Sequence, residues 1–138
     1  MELPAHIAER VREAIRRGGG TPIDDEARGH GAIALMGTIG SVLMLRPDGT
    51  LWDADEDTGR PLTPLPEEWH TRAIVWGVRR FQWLAELLPA RPTDALICTA
   101  CRGTGSLGNS AVLCSQCDGL GWTPSNPALN PTVLRPAR

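Results

Sequence analysis

The stretch CTACRGTGSLGNSAVLCSQCDGLGW, residues 98–122, holds all four cysteines of a 138-residue chain and writes one short pattern twice. Cys98, Cys101, Gly103 and Gly105 make a C-x-x-C-x-G-x-G unit, and Cys114, Cys117, Gly119 and Gly121 make a second one 16 residues further on. A two-residue gap lets both thiolates of a pair reach one ion, and the glycines permit a tight, positive-φ backbone around it. Two such knuckles supply the four ligands of a closed tetrahedral site. The sequence therefore predicts one structural Zn2+ held by Cys98, Cys101, Cys114 and Cys117. Four-thiolate iron sites and redox dithiols draw on the same residues. Zinc is preferred because the module reads as closed and no neighbouring feature suggests electron transfer. With only Leu107, Val112, Leu113, Leu120 and Trp122 as sizeable apolar residues, the segment cannot build a core unaided, so metal binding there is also folding energy.

The rest of the chain has the size of one small domain. A hydrophobic share of 41% and a formal charge of −2 fit a folded soluble protein and give no reason to expect a polyanion as partner. All 14 basic residues are arginine, scattered rather than clustered. Residues 1–17 are too charged for a secretory leader, and the longest apolar run, Ala32 to Leu45, is interrupted by Gly37, Thr38, Gly40 and Ser41. A cytoplasmic location without membrane contact is expected, where thiols stay reduced and serve as metal ligands.

Residues 2–17 carry an apolar stripe at Leu3, Ile7, Val11 and Ile15 and read as an amphipathic helix stopped by Gly18 to Gly20. TPIDDEARGHG reads as a loop. The segment after Ala32 predicts a strand and then a hairpin turning at Pro47, Asp48 and Gly49. DEDTGRPLTPLP reads as a second loop. Pro66, Glu67 and Glu68 open a long helix running to Leu88, apolar on two sides and therefore covered by a sheet on one and by another element on the other. The fold class expected is α+β: a small body over residues 1–90 with a β-hairpin and two helices, a linker at 91–97, a single-zinc β-hairpin module at 98–122 and a proline-rich tail at 123–138.

On its paired C-x-x-C-x-G-x-G units the module resembles half of the cysteine-rich zinc module of the DnaJ class of Hsp40 co-chaperones. That resemblance implies a zinc hairpin and, more distantly, a chaperone-like role in binding polypeptides. No His-Pro-Asp tripeptide occurs around His6, His30 or His70, so the J domain of that class is missing. LMLRPDGTLWDADEDTG followed by EEWHTRAIVWGVRRFQWLAELL is similar in order to the C-terminal half of the SMI1/KNR4 (SUKH) family, which implies an immunity-type inhibitor that binds another protein.

No nucleophile beside a base, paired carboxylates in an apolar setting or open metal site emerges, so a non-catalytic protein is expected. Its role is protein binding, as adaptor or inhibitor, with Trp76, Trp83, Leu107, Leu120 and Trp122 as candidate contact residues. Two other roles stay open. Arg72, Arg79, Arg80 and Arg91 beside Trp76 and Trp83 would suit nucleic acid, and zinc-regulated thiol oxidoreduction would use the C-x-x-C pairs. Asp53, Asp55 and Asp57 imitate the start of an EF-hand loop, but Thr58 and Pro64 occupy the positions that need glycine and glutamate.

Overall fold

The computed structural model describes residues 1–18, 20–38, 40–107 and 112–125. The predicted tail lies almost wholly outside them. The first helix, α1 (Ala5–Arg17), follows Pro4 and ends at Gly18 with φ 75°. Ile7, Ala8 and Val11 are buried, while Arg16 in the last turn reaches back to Glu9 and Glu13 on the solvent side.

The polar segment expected to be a loop is instead a second helix, α2 (Pro22–Gly29). Thr21 caps it, its hydroxyl accepting the N–H of Asp24, with Pro22 in the first turn and Asp24 and Asp25 facing the positive end of the helix dipole. These start signals pass for turn chemistry because the helix is short.

Four strands follow as an antiparallel meander: β1 (Ile33–Thr38), β2 (Ser41–Leu45), β3 (Leu51–Asp55) and β4 (Pro61–Pro64), in spatial order 1-2-3-4. The predicted turn joins β2 to β3, where Asp48 Oδ1 accepts both the N–H and the hydroxyl of Thr50 and Leu45 pairs with Leu51. The second expected loop contains β4. Its prolines are tolerated because β4 is an edge strand, where a missing N–H breaks no ladder.

Alternation along the strands divides the core. Ile33, Leu35, Leu45 and Leu51 pack with Ile7 and Val11 of α1 and with Ala73, Ile74, Leu84 and Leu87 further on. Ala34, Val42, Met44 and Ala54 point to the opposite face, under Ala27 and Ile23 of α2. The sheet is thus covered on both sides. Each fully buried Ile or Leu contributes about 1.5–3 kcal/mol relative to exposure.

The single long helix expected over 66–88 is three pieces: a 3₁₀ turn (Glu67–Trp69), the helix α3 (His70–Val78) and a 3₁₀ segment (Gln82–Leu87). The break comes where the Gly77 carbonyl accepts from both Arg80 and Phe81 and Phe81 turns to φ −131° and ψ 88°. It lets Arg80 reach across to the Ala34 carbonyl and the Asp24 carboxylate, and it redirects Leu84 and Leu87 into the core. The protein is therefore α+β, and among the described residues its body holds a four-stranded sheet and three α-helices where a strand, a hairpin and two helices were expected.

Candidate metal centre

The cysteine segment closes through a two-stranded ladder, β5 (Leu96–Ile97) with β6 (Trp122–Thr123), so the end of the expected linker forms one strand of the module. Its two knuckles are related by the 16-residue repeat. Ile97 pairs with Trp122, and 16 residues on from Ile97 Leu113 bridges Ser106. The Cys98 N–H donates to the Gly121 carbonyl, and in the mirrored contact the Cys114 N–H donates to the Gly105 carbonyl. Gly105 and Gly121 sit at φ 78° and 84°, and a Cβ on either would run into the backbone carbonyl of the other knuckle, at Gly119 or Gly103. Glycine is therefore needed at both for conformation and for space.

This doubling brings the predicted ligands together. Cys98, Cys101, Cys114 and Cys117 are all buried, and their sulfurs lie within 4.8 Å of one another. Cys98 Sγ is 3.8 Å from Cys114 Sγ, and Cys101 Sγ is 3.7 Å from Cys117 Sγ. Four sulfurs about 2.3 Å from one tetrahedral ion stand about 3.8 Å apart, so these separations suit a shared metal. They are far too long for disulfides, and all four cysteines are free. The N–H of Gly105 donates to Cys101 Sγ at 3.3 Å and that of Gly121 to Cys117 Sγ at 3.2 Å, as ligand-supporting bonds do in thiolate sites.

Two of the thiols, Cys101 and Cys117, are shifted in opposite directions. At Cys101 burial raises the thiol, but the Gly105 N–H and hydrogen bonding with Cys98 and Cys117 outweigh it and bring it down to about 6. At Cys117 burial prevails, reinforced by Cys101, and the thiol is pushed up to about 12. One negative charge is accepted readily and a second is resisted, a conflict that a divalent cation removes.

One face of α3 carries the module. Arg72 Nε donates to Asp118 Oδ1 at 2.7 Å, with the Asp118 side chain only 5% exposed and Arg72 25%. The Arg72 guanidinium also lies 4.6 Å from the centre of the Trp69 ring. One turn on, Val75 meets the backbone at Gly119, and Arg79 reaches the Ser106 hydroxyl at 3.4 Å. The second apolar stripe expected of this helix, Ile74, Val78, Phe81 and Leu88, packs into the sheet core with the first, and the module rests on a further face at Arg72, Val75 and Arg79. Sequence reasoning missed Arg72 and Asp118 as its anchors. The one local clue is Asp118 itself, the sole acid between Cys98 and Trp122.

The remaining predicted contact residues are dispersed. Leu107 is exposed on the module and Leu120 half-buried, whereas Trp122 is only 7% exposed and packs within the ladder. Trp76 is half-buried on α3, its indole N–H without a hydrogen-bond partner among the described residues. Trp83 packs beside Phe81, ring centres 5.6 Å apart. Besides Leu107, the module exposes the apolar side chains of Leu96, Ile97 and Val112, which sequence reasoning did not single out as contacts, and the body exposes Leu62 and Trp69. Of the basic residues expected to form a patch, Arg72 is paired with Asp118 and Arg80 with Asp24, while Arg79 reaches only the Ser106 hydroxyl. Asp55 serves its own turn, accepting the N–H groups of Asp57 and Thr58.

Fold and site together define an α+β protein with a buried four-thiol cluster able to hold a metal ion. No protein-family model, curated protein or solved structure matches the chain. Among the described residues no helix is long and apolar enough to cross a membrane.

Proposed function

We propose that this is a non-catalytic, zinc-stapled interaction protein, its cysteine module serving as a partner-binding appendage docked on the α+β body. The observation that carries the reading is the set of four buried sulfurs within 4.8 Å of one another. Four thiolates fill a tetrahedral Zn2+ and leave no position for water or substrate, which is the arrangement of a structural site. Zn2+ has no redox chemistry, and sharing it quenches the exchange reactivity that two C-x-x-C pairs would otherwise have.

Protein rather than nucleic acid is the partner favoured. The module exposes Leu96 at 55%, Ile97 at 62% and Val112 at 58% and carries Leu107 beside Val112. Four thiolates around a dication leave the site negative, which disfavours phosphate. The resemblance to half of a DnaJ-type module and to SUKH immunity proteins is consistent with polypeptide binding. The test is a pull-down from the native cell with wild type, with the Cys114→Ser/Cys117→Ser chain and with Ile97→Ser/Val112→Ser. A partner retained by wild type and lost by both variants supports the proposal. Loss with the cysteine variant only, or partners that are nucleic acids released by salt, refutes the assignment of this surface.

A further inference from the structure

Away from the cysteines, α1, α2 and the chain following α3 enclose a cavity of about 370 Å³. Its size falls in the range of small-molecule sites. Its walls differ in character. Phe81 and Trp83, their rings inclined by 50° to each other, supply apolar lining, while Arg10 and Arg17 from α1, Arg28 from α2 and Arg80, its guanidinium 5.5 Å from the Phe81 ring centre, supply cationic lining.

The charges do not cancel. Besides the four arginines, the described lining residues include two carboxylates, Glu13 and Asp24, in a chain whose formal charge is −2. Asp24 is buried and taken by Arg80, whose Nη2 donates to both carboxylate oxygens at 2.7 and 2.8 Å while Nη1 donates to the Ala34 carbonyl. Glu13 is held from outside the cavity by Arg16 at 2.7 Å. What remains for Arg17 is a 3.8 Å contact with Glu13 and for Arg28 a 3.7 Å contact with Asp25. Arg10 makes no ion pair with any described residue.

Phe81 and Trp83 thus border one cavity with Arg10, Arg17 and Arg28, three guanidinium groups with donors left over, the Arg17 side chain 79% and the Arg28 side chain 43% exposed. Their mutual repulsion is relieved by an anion, and guanidinium forks match phosphate oxygens two at a time. The backbone makes room for Arg28: a Cβ at Gly18 would collide with its guanidinium, so the glycine that ends α1 also admits Arg28 to the rim. Arg80, locked between Asp24 and Ala34, forms a fixed floor.

We infer that this cavity binds a small organic phosphate carrying a flat ring, of the size and chemistry of a nucleoside monophosphate. The phosphate would lie among Arg10, Arg17 and Arg28 and the ring against Phe81 and Trp83. The site contains no residue of the cysteine module, so it stands or falls independently of the metal.

Isothermal titration of the full, zinc-loaded chain with AMP, GMP, adenosine and inorganic phosphate tests the assignment. AMP or GMP should bind with a dissociation constant between about 10 μM and 1 mM. Adenosine and inorganic phosphate, each lacking one half of the ligand, should bind at least about tenfold more weakly. Arg10→Gln/Arg28→Gln, both at exposed positions, should weaken AMP or GMP at least about tenfold. Arg12→Gln, which loses only a surface contact with Glu9, should bind as wild type does. Absence of heat with both nucleotides up to about 5 mM overturns the inference. So does adenosine or phosphate binding as tightly as the nucleotide, or Arg10→Gln/Arg28→Gln binding undiminished.

Discussion

Removing Arg72 should loosen the cysteine module from the body, and the cost can be estimated from the contact it makes. Its Nε lies 2.7 Å from Asp118 Oδ1, and the Asp118 carboxylate is 5% exposed. In Arg72→Met the long stem still packs, but the carboxylate is left buried and unpaired. Breaking a buried pair in this way costs about 3–5 kcal/mol. Arg72 is itself 25% exposed, so water reaches the pair and the lower end applies, about 3 kcal/mol, including about 0.5–1 kcal/mol for its stacking on Trp69. Asp118→Asn keeps an acceptor, removes the charge and suits the left-handed backbone there, φ 53°. It should cost only about 1–2 kcal/mol. Urea denaturation with zinc in excess measures both variants and the double mutant, and the cycle should return a coupling of about 1.5–2 kcal/mol. Single mutants within about 0.5 kcal/mol of wild type, or a coupling near zero, would refute the claim that this pair anchors the module.

Other consequences follow from the same geometry. Chelating the metal should abolish amide-exchange protection over residues 96–123 while β1 to β3 stay protected, since the module has no apolar core of its own; equal protection with and without metal would contradict this. Gly121→Ala places a Cβ against the Gly103 carbonyl at φ 84° and should cost about 2 kcal/mol or more together with zinc affinity, read by competition with a colorimetric chelator. Asp24→Asn leaves Arg80 without its bidentate partner and should lower stability by about 2 kcal/mol in denaturant unfolding, a figure reduced because the Arg80 side chain is 35% exposed. The Thr50 hydroxyl and N–H hold the Asp48 carboxyl below its usual value. That contribution is present above about pH 4 and is lost as pH falls through the lowered value, so the deficit of Asp48→Ala, about 0.5 kcal/mol at pH 7, should vanish in strong acid.

The cysteine site was legible because its information is local: ligand spacing and paired glycines fall within 25 residues, and each knuckle folds on itself. The β2–β3 hairpin was legible for the same reason, with Pro47, Asp48 and Gly49 marking the turn. What stayed hidden depended on distant partners. Helix α2 covers Ala34, Val42, Met44 and Ala54 with only Ala27 and Ile23, too few apolar residues over eight positions to leave a periodic signal. The pattern of residues 66–88 is helical throughout, yet Arg80 is drawn toward Asp24, 56 positions away, and the helix breaks there. Strand β4 reads as a loop because its prolines are acceptable only at a sheet edge. The anchoring of the module by Arg72 and Asp118, 46 residues apart, left no periodic trace.

X-ray absorption at the zinc edge, on purified reduced protein of known metal content, bears most directly on the central claim. One zinc per chain surrounded by four sulfurs at about 2.3 Å is the predicted result. A metal-free chain that keeps residues 96–123 ordered, sulfurs joined as disulfides, or a first shell containing nitrogen or oxygen would contradict it.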